Sequence, residues 1–204
     1  MVVTAGPTRE HIDPVRFLSN PSTGRMGFAV ARAAAEAGYE VVLVAGPVGL
    51  KTPKGVVRVD VVSAREMFAA VEAAKADILV ATAAVADWRP KSCATEKLKK
   101  GSMSGVLELV RNPDILRSSK VRRKIGFAAE TGDPVAEAVR KCKEKNLEFC
   151  VANDVTAPGA GFGVATNRVV FVYPDGTARR LPLLPKLAVA RRIVAALQRG
   201  RSRK

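Results

Sequence analysis

Short apolar runs alternate with amphipathic stretches along most of this chain. The runs are rich in valine and have the length of buried strands, whereas apolar residues in the intervening stretches recur every three or four positions, as on one face of a helix. This alternating order is typical of an α/β fold and predicts a doubly wound, mainly parallel sheet of Rossmann type. The predicted strands are residues 2–5, 40–45, 56–62, 77–84, 106–110, 124–129 and 147–152.

Capping residues mark where helices begin. Ser63 and Glu66 have the spacing of a capping box, in which each side chain accepts a hydrogen bond from the backbone of the other. Asn112 and Pro113 predict the cap and the first turn of a short helix. Cys142 shares the apolar face of a helix that begins after residue 134, so we interpret it as a core residue and not as a nucleophile.

The end of the chain departs from this alternation. Residues 169–173 and 178–181 flank a Pro-Asp-Gly turn, which predicts a β-hairpin. A last helix is expected from Pro185 onward. We therefore expect a single domain over residues 1–198 and a basic, frayed tail over residues 199–204.

Composition narrows the class of protein. With 204 residues, of which 48% are hydrophobic and 26% charged, the chain can bury a core of its own. No apolar run approaches the roughly 18 residues of a membrane span, and no basic segment precedes an apolar one at the N-terminus, which predicts a cytoplasmic protein. The three cysteines have no CxxC spacing and the chain has one histidine, which argues against a disulfide framework and a zinc site.

The net charge of +15 makes a basic nucleic-acid-binding module one alternative function, because clustered lysine and arginine neutralise phosphates. The basic residues are spread along the chain, however, and no helix-turn-helix, RNP-type or zinc-finger pattern accompanies them. We interpret most of them as solvated surface and a minority as a source of positive potential for an anionic small molecule.

Candidate chemistry is concentrated where predicted strands end. Gly6 directly follows the first strand, a position at which α/β proteins expose backbone N–H groups to phosphates. The surrounding residues do not form G-x-G-x-x-G, which weighs against a second alternative, a Rossmann-type NAD(P)-dependent reductase. The strand at 77–84 leads into Asp87 and then into a lysine-dense loop, so we expect an anionic ligand with a divalent metal at this edge of the sheet.

Short motifs in a fixed order extend these expectations. From the N-terminus onward the chain contains VTAGPTRE, DPVRFLSNPSTGRMGFA, LVAGPV, AAVADWRP, EKLKK, RNPDIL, GFAAET and VANDV. Each motif is weak alone, but together they resemble phosphopantothenoylcysteine synthetase, the second activity of the bifunctional coenzyme A biosynthesis flavoprotein. The resemblance implies a ligase that activates the carboxylate of 4′-phosphopantothenate with CTP as an acyl-cytidylate. Cysteine then displaces CMP to form an amide.

The resemblance also implies which residues bind the nucleotide. The lysines of EKLKK are expected on a flap that closes over the triphosphate, with Lys97 as the leading catalytic candidate beside Lys99 and Lys100. Asp87 is expected to bind the nucleotide and its Mg²⁺. The other nucleotide-binding candidates are Gly6, Phe127, Ala128, Asn153 and Phe162.

The substrate half of the site is expected to contain Arg16, Asn20 and Ala84. Arg16 and Asn20 would hold the carboxylate of 4′-phosphopantothenate and the acyl nucleotide made from it, and both are catalytic candidates. An asparagine amide can donate to a developing oxyanion without titrating. The resemblance further implies a homodimer and a decarboxylase partner, either as a domain or as a separate protein. The residues leave the choice between CTP and ATP open.

Overall fold

The chain forms an α/β fold, which we describe over residues 1–100, 105–161 and 163–199 of a computed structural model. The strands are β1 (Val2–Ala5), β2 (Arg9–His11), β3 (Phe17–Ser19), β4 (Val41–Ala45), β5 (Val56–Asp60), β6 (Ile78–Ala81), β7 (Trp88–Pro90), β8 (Leu109–Arg111), β9 (Arg123–Glu130), β10 (Phe149–Asp154), β11 (Thr166–Asn167), β12 (Val170–Val172), β13 (Ala178–Arg180) and β14 (Leu184–Pro185). The helices are α1 (Arg25–Glu36), α2 (Ala64–Ala73), α3 (Ile115–Ser118), α4 (Val135–Glu144) and α5 (Lys186–Arg199).

Eight of the described strands form the central sheet, in the order β13-β12-β10-β9-β6-β1-β4-β5. The strands from β5 to β10 are parallel, and the hairpin β12–β13 continues the sheet in antiparallel pairing. The parallel part has the strand order of a dinucleotide-binding fold, in which the chain direction across the sheet reverses between β1 and β6. A ligand site is therefore expected where the carboxyl ends of these two strands meet.

Helices cover both faces of the sheet. Val3 and Ala5 pack in one core cluster with residues of α1 and α5, whereas Val2 packs in another with Met67 of α2. Neighbouring residues of a strand point to opposite faces, so α1 and α5 lie on one face and α2 on the other. On β9 and β10, Ala128 and the residues beside α4 form a third cluster, on the face away from α5. Strands covered on both faces explain the nearly continuous valine runs.

Most of the predicted elements are confirmed. The Ser63 hydroxyl accepts from the N–H of Glu66, and the Glu66 carboxylate accepts from the N–H of Ser63, which completes the capping box of α2. Cys142 is buried in the core beside α4. The predicted hairpin is β12–β13, and the last helix is α5, which includes Arg199; residues 200–204 of the predicted tail lie outside the described residues. Within the described part of the chain, no helix has the length and apolarity that a membrane span requires.

Some boundaries differ from the sequence prediction. The cap of α3 is Asp114, whose side chain accepts from the N–H of Arg117 at 3.1 Å, and not Asn112. Asn112 instead donates its side-chain amide to the carbonyl of Ala86 at 2.8 Å. The predicted strand at 106–110 begins at Leu109 and pairs with β7 outside the central sheet. The polar segment between β1 and α1 contains the hairpin β2–β3. This hairpin was not predicted, because its strands are short and only partly apolar.

Candidate functional site

The chain segments after β1 and β6 continue side by side beyond the sheet. Pro7 and Ala84 form an isolated parallel bridge, and the N–H of Ala84 donates to the carbonyl of Gly6 at 2.9 Å. The N–H of Ala86 donates to the hydroxyl of buried Thr8 at 3.0 Å. These bonds hold the two segments against each other at the edge of the sheet, where ligands bind in folds of this topology.

Three glycines bring the start of α1 close to this edge. Gly6 and Gly24 have positive φ angles of 79° and 75°, which glycine adopts without strain. A Cβ atom on Gly27 would lie 2.5 Å from the Cβ of Ala5, so α1 can approach β1 only because residue 27 lacks a side chain. These are the roles of the glycines in a dinucleotide-binding turn. The sequence lacks the motif because the insertion that carries β2 and β3 separates Gly6 from Gly24.

The first turn of α1 is open toward the site. Its N-cap residue is Gly24, and no side chain caps the helix. The first N–H groups of a helix have no partner within the helix, and with the helix dipole they attract anions. The geometry is therefore that of a phosphate-binding helix N-terminus.

One cavity lies directly at this helix end, and we call it the α1-side cavity. It has a volume of about 120 Å³, and its polar walls include Arg25, Asn153, Asn167 and Lys186. No carboxylate is found among the described residues that line it. The cavity is therefore small and positively charged.

A second cavity, the α4-side cavity, opens toward α3 and α4 and has a volume of about 660 Å³. Two lysines in its walls are paired with acids: the Lys141 ammonium lies 2.8 Å from the Glu130 carboxylate, and the Lys145 ammonium lies 2.9 Å from that of Asp114. Burial raises the pKa of Asp114, but the hydrogen bonds from Lys145 and from the N–H of Arg117 outweigh it and lower the pKa. The two cavities adjoin, because Ala83, Ala84 and Phe127 line both.

The lysine-bearing segment between β7 and β8 is anchored to the insertion by Asp13. The carboxylate of this fully buried residue accepts from the N–H groups of Val15 and Arg16 at 2.8 Å each, from Nε of Arg16 at 2.9 Å and from the N–H of Leu98 at 3.2 Å. The Arg16 guanidinium also donates to the carbonyl of Leu98 at 3.0 Å. The hydrogen bond from Arg16, together with those from the backbone, keeps the pKa of Asp13 well below its usual range although burial opposes the shift. This anchor positions the two lysines that flank Leu98.

The structure brings Asn20 and Ala84 together, whereas Arg16 and the three lysines of EKLKK are not among the described residues that line either cavity. Ala84 lies between the cavities, and Asn20 is tied to it, because the Asn20 amide donates to the Ala84 carbonyl at 3.1 Å. Lys97, Lys99 and Lys100 are exposed on the anchored segment. Arg16 contacts Asp13 and Leu98.

The expected nucleotide-binding residues are divided between the cavities. Asp87 lies in the wall of the α4-side cavity, whereas Asn153 lines the α1-side cavity. Phe127 borders both. The side chain of Ala128 is buried beside α4 with 1% of its surface exposed, so that only its backbone is available to a ligand. Phe162 lies outside the described residues.

Several residues that line these cavities were not predicted as site residues from the sequence. Lys141 and Lys145 are one helical turn apart, a spacing that could have placed them on one face of α4. Asn112 and Asp114 lie in the RNPDIL motif, although their side chains were interpreted only as part of a helix start. Lys186 and Asn167 carry no local signal, since neither lies in a recognisable motif.

Comparison with known proteins gives consistent matches over the whole chain. The family described as "DNA/pantothenate metabolism flavoprotein C-terminal domain" matches residues 1–200. The chain is 47% identical over 209 residues to the coenzyme A biosynthesis bifunctional protein CoaBC of Bacillus subtilis (strain 168). This alignment covers 98% of this chain and 52% of that protein. The chain spans about half the length of the curated relatives that it matches.

Solved structures agree with this match. The crystal structure of the C-terminal domain of the bifunctional protein CoaBC has a TM-score of 0.83 at 40% identity, and the match covers 100% of this chain and 95% of that one. A Cab2 mutant in complex with phosphopantothenate-cysteine has a TM-score of 0.78 at 15% identity over 100% of this chain and 88% of that one, a likeness of fold alone. Family match, sequence identity and fold together show that the chain belongs to the family of the DNA/pantothenate metabolism flavoprotein C-terminal domain.

Proposed function

We propose that this chain is a phosphopantothenate–cysteine ligase that uses CTP, in coenzyme A biosynthesis. One observation carries the proposal: a small basic cavity and a larger cavity of mixed charge adjoin at Ala84 and Phe127, at the switch point of the sheet. The reaction must bring a phosphorylated carboxylic acid and a nucleoside triphosphate together, so it needs two adjoining anion-binding cavities. The curated relatives are coenzyme A biosynthesis bifunctional proteins, and their name supports a role in the same biosynthesis.

CTP fits the α4-side cavity. The volume of about 660 Å³ falls within the roughly 300–1,000 Å³ of pockets that enclose whole ligands. Lys141 and Lys145 can exchange their carboxylate partners for phosphate oxygens, and the ring of Phe127 offers an apolar wall to the base. Lys97 would close over the triphosphate from the anchored segment.

Mg²⁺ would be held at Asp87. Across the described residues, no three His, Cys, Asp or Glu side chains are grouped so as to hold a metal. Mg²⁺ is commonly held by one or two carboxylates together with the phosphates of its nucleotide. An exposed carboxylate in the cavity wall therefore fits a metal that arrives with CTP, and the bound ion would neutralise phosphate charge.

In the first step, a carboxylate oxygen of 4′-phosphopantothenate attacks the α-phosphorus of CTP, and the bond to the bridging oxygen breaks to release pyrophosphate. Like charges must approach each other, so positioning and cations supply most of the catalysis. Lys97, with Lys99 and Lys100 beside it, would neutralise negative charge on the triphosphate and on the leaving pyrophosphate. Arg16, already directed by Asp13, would hold the carboxylate.

In the second step, the amine of cysteine attacks the acyl carbonyl, CMP leaves with the bonding electrons, and the amine loses a proton. Negative charge develops on the carbonyl oxygen, where a fixed donor is most effective. The Asn20 NH₂ group has two hydrogens, so it can hold the Ala84 carbonyl and also donate to this oxygen.

We further propose a homodimer with a decarboxylase as partner domain or protein. The curated relatives are bifunctional, and β13 forms an edge of the central sheet with exposed residues at 178–180. Exposed edge strands favour pairing with another chain. Light scattering of the active protein should therefore give the mass of two chains, and an active monomer would contradict the dimer.

Pyrophosphate release tests the proposed reaction and the nucleotide together. The assay contains 4′-phosphopantothenate, cysteine and Mg²⁺ with either CTP or ATP. We expect release with CTP that depends on 4′-phosphopantothenate, and an amide product that appears only when cysteine is added. Release with ATP alone would correct the nucleotide, and absence of release with both would refute the ligase.

A further inference from the structure

We propose a second binding site, at the opposite edge of the sheet from the candidate functional site, for a small anion with an apolar body. The site is a cavity of about 650 Å³ between α5 and the hairpin β12–β13, and we call it the α5-side cavity. Its volume falls within the roughly 300–1,000 Å³ of pockets that enclose whole ligands. None of its described lining residues also lines the α1-side or the α4-side cavity.

The position of the cavity separates it from the candidate functional site. Phe149, the first residue of β10, lines the α5-side cavity, whereas Asn153 lines the α1-side cavity and lies further along the same strand. At the rise of a strand, these two residues are about 13 Å apart. A ligand can therefore occupy the α5-side cavity without displacing one from the candidate functional site.

The cavity exists because the outer strands are covered unequally. Val170 and Val172 of β12 pack with Cys142 of α4, whereas Phe171 between them points to the face that carries α5. On that face α1 contacts β1, β4 and β5, which leaves α5 as the described helix nearest to β13. The side chains that α5 presents toward the hairpin include Ala195 and Ala196, which are too small to fill the space.

Aromatic rings form much of the apolar wall. The rings of Phe149 and Phe171 are stacked with their centroids 5.5 Å apart, and the ring of Tyr173 lies 5.7 Å from that of Phe149. Leu181 and the two alanines of α5 extend this wall. Packed rings offer an apolar surface to the body of a ligand.

Three arginines also line the cavity: Arg179 of β13, and Arg192 and Arg199, which lie about two turns apart on α5. Their guanidinium groups form no ion pair or hydrogen bond with other described residues. Glu148 is the acid among the described lining residues, and its carboxylate is already held by Arg123 at 2.6 Å. An anion placed among the three arginines would reduce their mutual repulsion.

Adjacent arginines that do not line the cavity have carboxylate partners. Arg180 lies next to Arg179 on β13 and 3.5 Å from the Asp133 carboxylate. Arg191 lies next to Arg192 on α5 and 3.0 Å from the Glu36 carboxylate. The arginines turned toward the cavity thus differ from their neighbours in lacking an acidic partner within the described residues, as expected where a ligand supplies the anion.

The two parts of the wall together define the class of ligand. A bare inorganic anion would leave the aromatic wall in contact with water, and a neutral hydrocarbon would leave the guanidinium groups unpaired. Guanidinium groups match the geometry of carboxylate and phosphate oxygens. The ligand therefore combines an acidic group of this kind with an apolar or aromatic body.

Fluorescence titration with anilinonaphthalene sulfonate, an aromatic molecule with one anionic group, tests the site. Phenylnaphthylamine has the same rings without the sulfonate and is the matched neutral probe. We expect the anionic probe to bind the wild type at one site and the neutral probe to bind about tenfold more weakly or less, because its contacts to the arginines are missing.

Variants locate the bound probe. Arg179→Gln and Arg192→Gln each remove one guanidinium and should each weaken the anionic probe about tenfold. Ala195→Phe fills the cavity and should abolish binding. The matched control is Arg180→Gln, which makes the same change at the neighbouring residue on the other face of β13 and should bind the probe as the wild type does.

Several results would overturn the inference. Equal affinity for the two probes would remove the anion, and unchanged affinity in Arg192→Gln would remove the site. Loss of binding in Lys141→Met would place the probe in the α4-side cavity instead. If light scattering showed that Ala195→Phe dissociates an oligomer, the cavity would be an interface between copies of the chain.

Melting temperatures check that the variants fold. Arg179 and Arg192 are exposed, so replacing them should change the melting temperature little. If Ala195→Phe does not fold, the arginine variants decide. None of the residues that line the cavity belongs to the candidate functional site, so the outcome does not depend on the proposed ligase activity.

Discussion

The two cavities that adjoin at Phe127 differ in how their positive charges are balanced. In the α1-side cavity, Arg25 and Lys186 face a helix N-terminus, with no carboxylate among the described lining residues. In the α4-side cavity, the ammonium groups of Lys141 and Lys145 lie 2.8 and 2.9 Å from carboxylates. The positive charges of the α1-side cavity face no carboxylate among the described lining residues and are available to an anion. In the α4-side cavity, Lys141 and Lys145 would have to leave their carboxylate partners to bind one.

This difference matches what each ligand does in the proposed reaction. The phosphate group of 4′-phosphopantothenate is unchanged by the proposed reaction, so a rigid site with fixed charge would suit it. The nucleotide changes from a triphosphate to an acyl nucleotide and then to CMP, so basic residues with alternative carboxylate partners can follow its loss of charge. The comparison thus assigns anchoring to the α1 side and chemistry to the α4 side.

The largest effect is expected from the flap, the anchored segment between β7 and β8 that carries Lys97. Lys97→Gln should lower turnover by about 100-fold or more, because it removes a cation that meets the triphosphate in the transition state. Its melting temperature should match that of the wild type, since exposed lysines contribute little stability. Stopped-flow measurement of pyrophosphate release checks the rate, and turnover near that of the wild type would remove Lys97 from the chemistry.

Asn20→Asp should separate the two half-reactions at the boundary between the cavities. A carboxylate there repels both the Ala84 carbonyl and the developing oxyanion, which should slow amide formation by about 100-fold. Pyrophosphate should still be released in a first turnover, and an acyl-cytidylate should accumulate and decay slowly when cysteine is added. Chromatography of quenched reactions measures this, and equal slowing of both steps would place Asn20 in substrate binding.

A milder effect is expected in the α4-side cavity. Lys145→Met should raise KM for CTP about tenfold and leave KM for 4′-phosphopantothenate unchanged, because Lys145 lines the α4-side cavity and not the α1-side cavity. The neighbouring exposed Lys143 provides the matched control. If Lys145→Met raised both KM values equally, the cavities would not bind separate ligands.

The smallest effect is expected from the anchor of the flap. Asp13→Asn weakens the contacts to Arg16 and Leu98, and turnover should fall about three- to tenfold because the lysines are less well positioned.

Since the pKa of Asp13 is lowered by folding, its carboxylate stabilises the protein above the unfolded-state pKa of about 3.9, and this stabilisation is lost as the pH falls toward the folded-state pKa.

Melting curves from pH 7 to pH 3 check this dependence. The wild type should melt at a higher temperature than Asp13→Asn at pH 7, and the difference should shrink below about pH 4. A difference that stayed constant over this range would mean that the charge of Asp13 is not what anchors the flap.

Sequence patterns predicted much of the fold because the signals are local. Valine runs indicated the buried parallel strands, and the spacing of Ser63 and Glu66 indicated the start of α2. The order of strands and helices was enough to place the ends of β1 and β6 at one edge, and with them Gly6, Ala84 and Asp87. Asn112 and Asp114 show the limit of such signals. Asparagine and aspartate are equally favourable N-cap residues, so the sequence alone does not decide which of the two caps α3.

Local sequence patterns and motifs were enough to identify the fold class, the family and the edge of the sheet at which the candidate site lies. Tertiary structure decided which residues share a cavity. Asp13 meets Leu98 across 85 positions of the chain, and Arg25 meets the loop at Gly163 across 138. Lys186 and Asn167 reach the start of α1 only because α5 packs on α1 and β14 pairs with β11. Local periodicity records which face of an element is buried, but contacts between distant segments follow from how the layers pack, which no local pattern contains.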